Sequence, residues 1–130
     1  MKILVGYEAS KVAEAALNLA IKHARAFGAD LSIVTCLEQS HDLQREDIEA
    51  VEDKLEKLKL SFKNDDFNCE THTMVSLLTP GEALVEFAQD NEIDLIILGV
   101  KKRSKVGKLV TGSNAQYVIL SAPCPVLSIK

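Results

Sequence analysis

Short apolar runs alternate with longer amphipathic segments along this chain. Three runs have the length and the branched side chains of buried strands: "KILVGY" from residue 2, "ADLSIVTCLE" from residue 29 and "IDLIILGV" from residue 93. The third is the most apolar, which makes it the candidate for the centre of a sheet. "FNCETHTMVSLL", from residue 67, has mixed polarity and predicts an edge strand, and "VLSIK" at the end of the chain predicts a short final strand.

The first two segments between these strands have the spacing of amphipathic helices. Apolar residues repeat at helical intervals over 12–27, Ser10 is a good N-cap, and Gly28 is typical of a helix end. A second helix is predicted over 42–62, where acidic residues near its start and lysines near its end favour the helix dipole.

Two further helices are predicted from their first residues. "TPGE" combines a capping threonine, Thr79, with a proline at the first helical position and with Glu82 to complete a capping box. Asn91 ends this third helix. The fourth is predicted over "GSNAQYVILSA", with Ser113 and Gln116 as a second capping box.

Strands that alternate with helices predict parallel βαβ units with right-handed crossovers. We therefore expect one α/β domain over residues 1–130, a doubly wound parallel sheet with helices on both faces. In such a fold, ligands bind beyond the carboxyl ends of the strands. The loops to inspect are "GYEAS" after the first strand and "GVKKRSKVGKLVTGS" after the fourth.

Charge is distributed unevenly along the chain. Residues 1–94 contain 9 basic and 19 acidic side chains, whereas residues 95–130 contain 6 basic and no acidic ones. Such asymmetry indicates an anion site or only a surface dipole. Nucleic-acid binding is disfavoured, because no aromatic residue lies among residues 99–113 and the remainder is acidic.

Gly112 and Ser113 offer the most specific chemistry in this basic region. At a helix start the backbone amides point outward along the positive end of the helix dipole, and without a side chain at Gly112 a phosphate can approach them. No G-x-S-x-G elbow, Walker loop, or pairing of a nucleophile with a base is found. The three histidines and three cysteines have no zinc-ligand spacing, so the cysteines are expected to be reduced and no metal site is predicted.

The spacing around these residues resembles that of the universal stress protein family. That family has glycine, two residues, glycine, nine residues, then glycine and serine or threonine; here the pattern is Gly99, two residues, Lys102, nine residues, Gly112-Ser113. "KILVGYEAS", "PGEALVEFAQDNEIDLIILG" and "GSNAQYVILSAPCPVLSIK" resemble further family segments, so the likeness covers the whole chain.

The resemblance implies strand order 3-2-1-4-5 and an adenine-nucleotide site. It assigns Gly99, Gly112, Ser113 and Asn114 to phosphate, and it implies ATP as the ligand, with Mg²⁺ accompanying the nucleotide. It also assigns Glu8 to the ribose, where the family usually has aspartate, and Leu37 to the edge of the adenine.

Lys102 replaces the second glycine of the pattern and leaves two alternatives open. Its Cβ would crowd the phosphate path, or its ammonium group would contact the phosphate. The first alternative gives an interaction module of the same fold that binds no nucleotide, and the Lys102→Gly variant would distinguish it from a nucleotide-binding regulatory protein of the stress response. A slow ATPase is the enzymatic alternative, although no residue is obviously placed to orient water.

The final strand and the overall composition carry the remaining expectations. A terminal edge strand needs cover, and in the family it commonly pairs with its copy, so a homodimer is expected through Val126, Leu127 and Ile129. No apolar stretch approaches the ~20 residues that span a bilayer, so a cytoplasmic protein without membrane association is expected. Its protein partner is not indicated by the sequence.

Overall fold

The computed structural model of the chain describes residues 1–8, 10–101 and 112–130. Within these ranges, five strands alternate with four helices. In chain order they are β1 Lys2–Gly6, α1 Lys11–Phe27, β2 Asp30–Glu38, α2 Arg45–Ser61, β3 Cys69–Ser76, α3 Pro80–Asp90, β4 Leu95–Gly99, α4 Ser113–Ser121 and β5 Val126–Ile129.

The strands form one parallel sheet of order β3-β2-β1-β4-β5, which confirms the predicted doubly wound fold and its strand order. One apolar cluster joins α1 and α2 to one face of the sheet, and a second joins α3 and α4 to the other. β3 lies at an edge, as its mixed polarity predicted.

The prediction that β4 lies at the centre is wrong, because β1 occupies that place and β4 lies between β1 and β5. Ile3 and Leu4 of β1 are fully buried, and so are Ile96 and Ile97 of β4. A strand is strongly apolar when helices cover both of its faces, and helices cover both faces of β1 and of β4. Hydropathy therefore cannot rank one inner strand above another.

Local capping chemistry fixes most helix ends. The hydroxyl of Ser10 accepts a hydrogen bond from the backbone N–H of Ala13 at 3.2 Å, and Gly28 ends α1 in the left-handed conformation with φ 61°. The capping box of Thr79 and Glu82 at the start of α3 is confirmed. These predictions succeeded because each signal involves residues within one turn.

The predicted capping box of α4 is wrong. Gly112 is the N-cap, with extended backbone angles of φ −61° and ψ 151°, and Ser113 is the first helical residue. The carbonyl of Gly112 accepts the first helical hydrogen bond, from the N–H of Gln116 at 3.0 Å. A side chain is therefore missing at the position where a helix is usually capped.

Candidate functional site

A cavity of about 320 Å³ lies at the carboxyl edge of the sheet. The ends of β1, β2 and β4 form its floor, and the first residues of α3 and α4 form part of its wall. Its volume falls at the lower end of the range for small-molecule sites, about 300–1,000 Å³. It lies where doubly wound sheets bind ligands, on both sides of the point where the strand order reverses at β1.

The start of α4 presents open backbone to this cavity. A Cβ on Gly112 would meet no atom of the described residues within 4 Å, and the backbone angles of Gly112 are accessible to any residue. Neither crowding nor strain within the described part of the chain therefore explains the glycine. What the glycine leaves clear is access to the outward-pointing amides at the positive end of the α4 dipole.

The start of α3 meets the start of α4 at the cavity wall. The side-chain oxygen of Asn114, Oδ1, accepts a hydrogen bond from the backbone N–H of Gly81 at 3.0 Å. A Cβ on Gly81 would lie only 2.8 Å from the backbone oxygen of Asn114, so the two helices touch through a position where only glycine fits. Asn114 therefore holds two helix N-termini together at the cavity.

Gly99 serves packing at the end of β4. A Cβ on Gly99 would lie 2.6 Å from the carbonyl oxygen of Val12 and 2.9 Å from its carbonyl carbon. The glycine thus lets the start of α1 approach β4 closely. The sequence pattern did not indicate this contact, because Val12 is 87 positions away in the chain.

An ion pair lies beside the ends of β1 and β4. The ammonium nitrogen of Lys101 is 3.4 Å from a carboxylate oxygen of Glu8, and both side chains are more than half exposed. Both residues also line the cavity. An exposed pair of this kind contributes about 0–1 kcal/mol, so a ligand can readily take over either partner.

Tyr7 anchors the end of β1. Its backbone N–H donates to the carbonyl of Val34 at 2.8 Å, and its carbonyl accepts from the hydroxyl of Thr35 at 2.6 Å. Its phenol donates to the carboxylate of Glu14, and burial together with that bond raises the pKa of Tyr7 to about 12. Tyr7, which precedes Glu8 at the cavity floor, is therefore hydrogen-bonded to β2 through its backbone and to α1 through its side chain.

β2 contributes Val34, Thr35 and Cys36 to the cavity lining. Burial raises the pKa of the Cys36 thiol to about 11, so the thiol is neutral near pH 7. Leu37, which the resemblance placed at the adenine edge, lies one residue further along β2, opposite Val75 of β3, and it is not among the cavity-lining residues.

Five of the predicted site residues line this same cavity: Glu8, Gly99, Gly112, Ser113 and Asn114. Lys102 lies outside the described residues. Sequence reasoning missed Thr35 and Gly81, because the atoms that each contacts belong to distant segments. It also missed Lys101, although this lysine directly follows the fourth strand's last apolar residues.

Three further findings concern the parts of the chain that the structure describes. No group of three or more His, Cys, Asp or Glu side chains there could hold a metal ion. No helix there is long and apolar enough to cross a bilayer. β5 is an edge strand, and the side chain of its residue Leu127 is exposed.

Comparison with known proteins gives a consistent result. A model described as the universal stress protein family matches residues 1–130. A universal stress protein of Thermus aquaticus, encoded in the 3′ region of the QAH/OAS sulfhydrylase, is 33% identical, with 98% of this chain and 97% of that protein covered.

Solved structures of similar proteins share the fold over the whole chain. A universal stress protein from Archaeoglobus fulgidus is 30% identical with a TM-score of 0.83, covering 100% of this chain and 93% of that one. A structure of the universal stress protein from the same organism in complex with dAMP is 28% identical with a TM-score of 0.79, covering 100% and 98%. The family model, the sequence relative and the shared fold agree, and this chain belongs to the universal stress protein family.

Proposed function

We propose that this protein binds an adenine nucleotide in the cavity at the carboxyl edge of the sheet and acts as a nucleotide-dependent regulator in the stress response. The observation that carries the proposal is Gly112, a helix N-cap on the wall of that cavity, where a Cβ would contact none of the residues that the structure describes. The dAMP complex of the similar A. fulgidus protein supports the same ligand class.

The cavity residues fit the parts of a nucleotide. The amides at the start of α4 would hold a phosphate, as helix N-termini do. The Glu8 carboxylate would accept hydrogen bonds from ribose hydroxyls, and the Lys101 ammonium beside it would then be free to approach a phosphate. We infer ATP as the cellular ligand. Mg²⁺ would enter on the phosphates, because the described residues offer no metal cluster of their own.

Two variants of Gly112 test the site with matched structures. Asparagine and aspartate are both good N-caps and nearly equal in size, so Gly112→Asn and Gly112→Asp should both fold stably. They differ in one negative charge at the place proposed for phosphate. At an effective dielectric constant near 20, like charges about 5 Å apart repel by roughly 3 kcal/mol, so the aspartate variant should bind about 100-fold more weakly than the asparagine variant.

Titration calorimetry with ATP and AMP, with and without Mg²⁺, measures this difference. Thermal unfolding of both variants is the folding control, and phosphate release in the same samples tests the slow-ATPase alternative. Affinities for both variants equal to that of the unmodified protein would place the phosphate elsewhere. Absence of binding by the unmodified protein would reject the nucleotide proposal and favour the interaction module.

We also propose that β5 pairs with β5 of a second copy, through Val126, Leu127 and Ile129. β5 is an edge strand that carries an exposed apolar side chain, Leu127. Light scattering at micromolar concentration should give the mass of a dimer, and Leu127→Lys should shift it towards the monomer. A monomeric mass for the unmodified protein would refute this assembly.

A further inference from the structure

The cavity has two chemically different ends, on opposite sides of β1. The α4 start and Lys101 lie on the β4 side, where an anion is favoured. Thr35 and the neutral Cys36 thiol lie on the β2 side, beyond the Glu8 carboxylate, which disfavours a second anion there. Two strand spacings separate β4 from β2, roughly 10 Å. An extended ligand with its phosphate at α4 therefore places its uncharged end at β2.

The hydroxyl of Thr35 already donates its proton to a hydrogen bond within the protein. Its oxygen lies 2.6 Å from the backbone carbonyl oxygen of Tyr7. A backbone carbonyl can only accept a hydrogen bond, so the Thr35 hydroxyl must be the donor. Tyr7 is itself fixed, because its N–H donates to Val34 of the neighbouring strand. The Thr35 oxygen consequently offers only acceptor lone pairs to a ligand in the cavity.

We propose that Thr35 is a specificity-determining residue that selects a base bearing an exocyclic amino group and rejects its oxo counterpart. The inference rests on the proposed nucleotide site. An amino group donates a hydrogen bond to the Thr35 oxygen, as the 6-amino group of adenine would. A 6-oxo group would face that oxygen with lone pairs of its own and leave both acceptors without a donor.

The neighbouring atoms reinforce this selection. The carbonyl of Tyr7, which accepts the hydrogen bond from the Thr35 hydroxyl, is also an acceptor. The Cys36 thiol is only a weak donor. The β2 end of the cavity thus presents acceptors without a strong side-chain donor among the described lining residues. A net hydrogen bond gained or lost changes affinity by about 3- to 10-fold, which sets the expected size of the preference.

AMP and IMP are the matched probes, because they share the ribose and the phosphate and differ at the 6-position and the adjacent ring nitrogen. We expect the unmodified protein to bind AMP at least 5-fold more tightly than IMP. Thr35→Val keeps the side-chain shape and removes the hydroxyl, so the preference should fall below 2-fold. Thr35→Ser keeps a hydroxyl and should restore it.

Thr73→Val is the control for a general effect of losing a hydroxyl from the sheet. Thr73 lies opposite Thr35 in the β2–β3 register and is similarly half-buried, but it is not a cavity-lining residue. This variant should keep the AMP preference. Because Thr35→Val also leaves the Tyr7 carbonyl without that donor, urea unfolding of each variant identifies any loss of folded protein.

The outcomes separate this inference from the proposed function. If the unmodified protein binds AMP and IMP equally, prefers IMP, or keeps its AMP preference in Thr35→Val, the role of Thr35 is refuted while nucleotide binding stands. If Thr73→Val abolishes the preference as completely as Thr35→Val, the same conclusion follows. If neither nucleotide binds the unmodified protein, the nucleotide site itself is rejected and the inference with it.

Discussion

Replacement of Gly99 by alanine should destabilise the fold more than alanine at any other glycine that lines the cavity. The new Cβ would lie 2.6 Å from the carbonyl oxygen of Val12, whereas real Cβ atoms essentially never come within 3.0 Å of such a neighbour. Relief of the contact requires a displacement of at least 0.4 Å. Both sides are backbone, at the end of β4 and the start of α1, so no flexible side chain can absorb it.

The expected magnitude follows from overpacking of a core. Insertions of this kind cost about 1–3 kcal/mol, and a contact between two backbones belongs at the upper end of that range. We expect Gly99→Ala to lose about 3 kcal/mol and to lower the melting temperature by roughly 6–12 °C. The loss comes from the contact alone, because Gly28 is the only glycine in the described ranges with positive φ.

Two alanine variants provide matched comparisons. At Gly112 the Cβ would contact none of the described atoms, so we expect alanine there to lose only the better N-cap, within about 1 kcal/mol. At Gly81 the Cβ lies 2.8 Å from the oxygen of Asn114, but the residue is helical, and alanine regains about 1 kcal/mol of helix propensity. The predicted order of destabilisation is Gly99→Ala, then Gly81→Ala, then Gly112→Ala.

Urea unfolding followed by circular dichroism measures the three free energies, and unchanged m-values would show that the variants unfold as the parent does. The reasoning would be refuted if Gly99→Ala were as stable as Gly112→Ala. That result would mean that α1 and β4 can separate without loss of packing, which would also remove the structural explanation for Gly99.

Three further predictions concern groups at and beyond the cavity. The pKa of Tyr7 is raised to about 12, so its contribution to stability is complete below pH 10 and is lost as pH rises from about 10 to 12. Between these pH values, the free energy of unfolding should fall more steeply in the unmodified protein than in Tyr7→Phe. The Cys36 thiol, with a pKa of about 11, should react with iodoacetamide at pH 7.5 at least 10-fold more slowly than in urea, and an equal rate would contradict its burial. Two guanidinium nitrogens of Arg25 donate hydrogen bonds to the carboxylate of Asp65 at 2.9 and 3.2 Å, and the Arg25 side chain is half exposed. A double-mutant cycle with Arg25→Met and Asp65→Asn should therefore give a coupling free energy of about 0.5–1 kcal/mol. A coupling of zero would show that this ion pair does not contribute to stability.

Local signals predicted the fold well, because each depends on residues close together in the chain. The capping box at Thr79 and the left-handed end at Gly28 are of this kind, and both are confirmed. The capping box predicted at Ser113 is wrong. Ser113 and Gln116 have the spacing of a capping box, but the N-cap of the helix is Gly112, one residue earlier. A spacing pattern alone does not specify which residue is the N-cap, the last extended residue before the helix.

The cavity was harder to predict, because its contacts join residues that are distant in the chain. The bond between Thr35 and Tyr7 spans 28 positions and arises from the pairing of β2 with β1. The family pattern pointed to Gly99, which lines the cavity, but it did not indicate the packing of Gly99 against Val12. The resemblance likewise pointed to β2 through Leu37, whereas the β2 residues that line the cavity are the three before it. Which residues of β2 reach the cavity depends on how the strands pair, and the sequence alone does not give that register.

The two ends of the cavity would recognise a ligand by different means. At α4 the proposed contacts come from backbone amides, which any sequence supplies so long as no charged or bulky side chain obstructs them. At β2 the proposed contact comes from one hydroxyl whose proton is already donated to Tyr7. The two effects should therefore be separable: Gly112→Asp should weaken the binding of AMP and IMP by the same factor, whereas Thr35→Val should weaken the binding of AMP more than that of IMP. Because roughly 10 Å separates the ends and the two residues share no partner, the effects should add in the double variant.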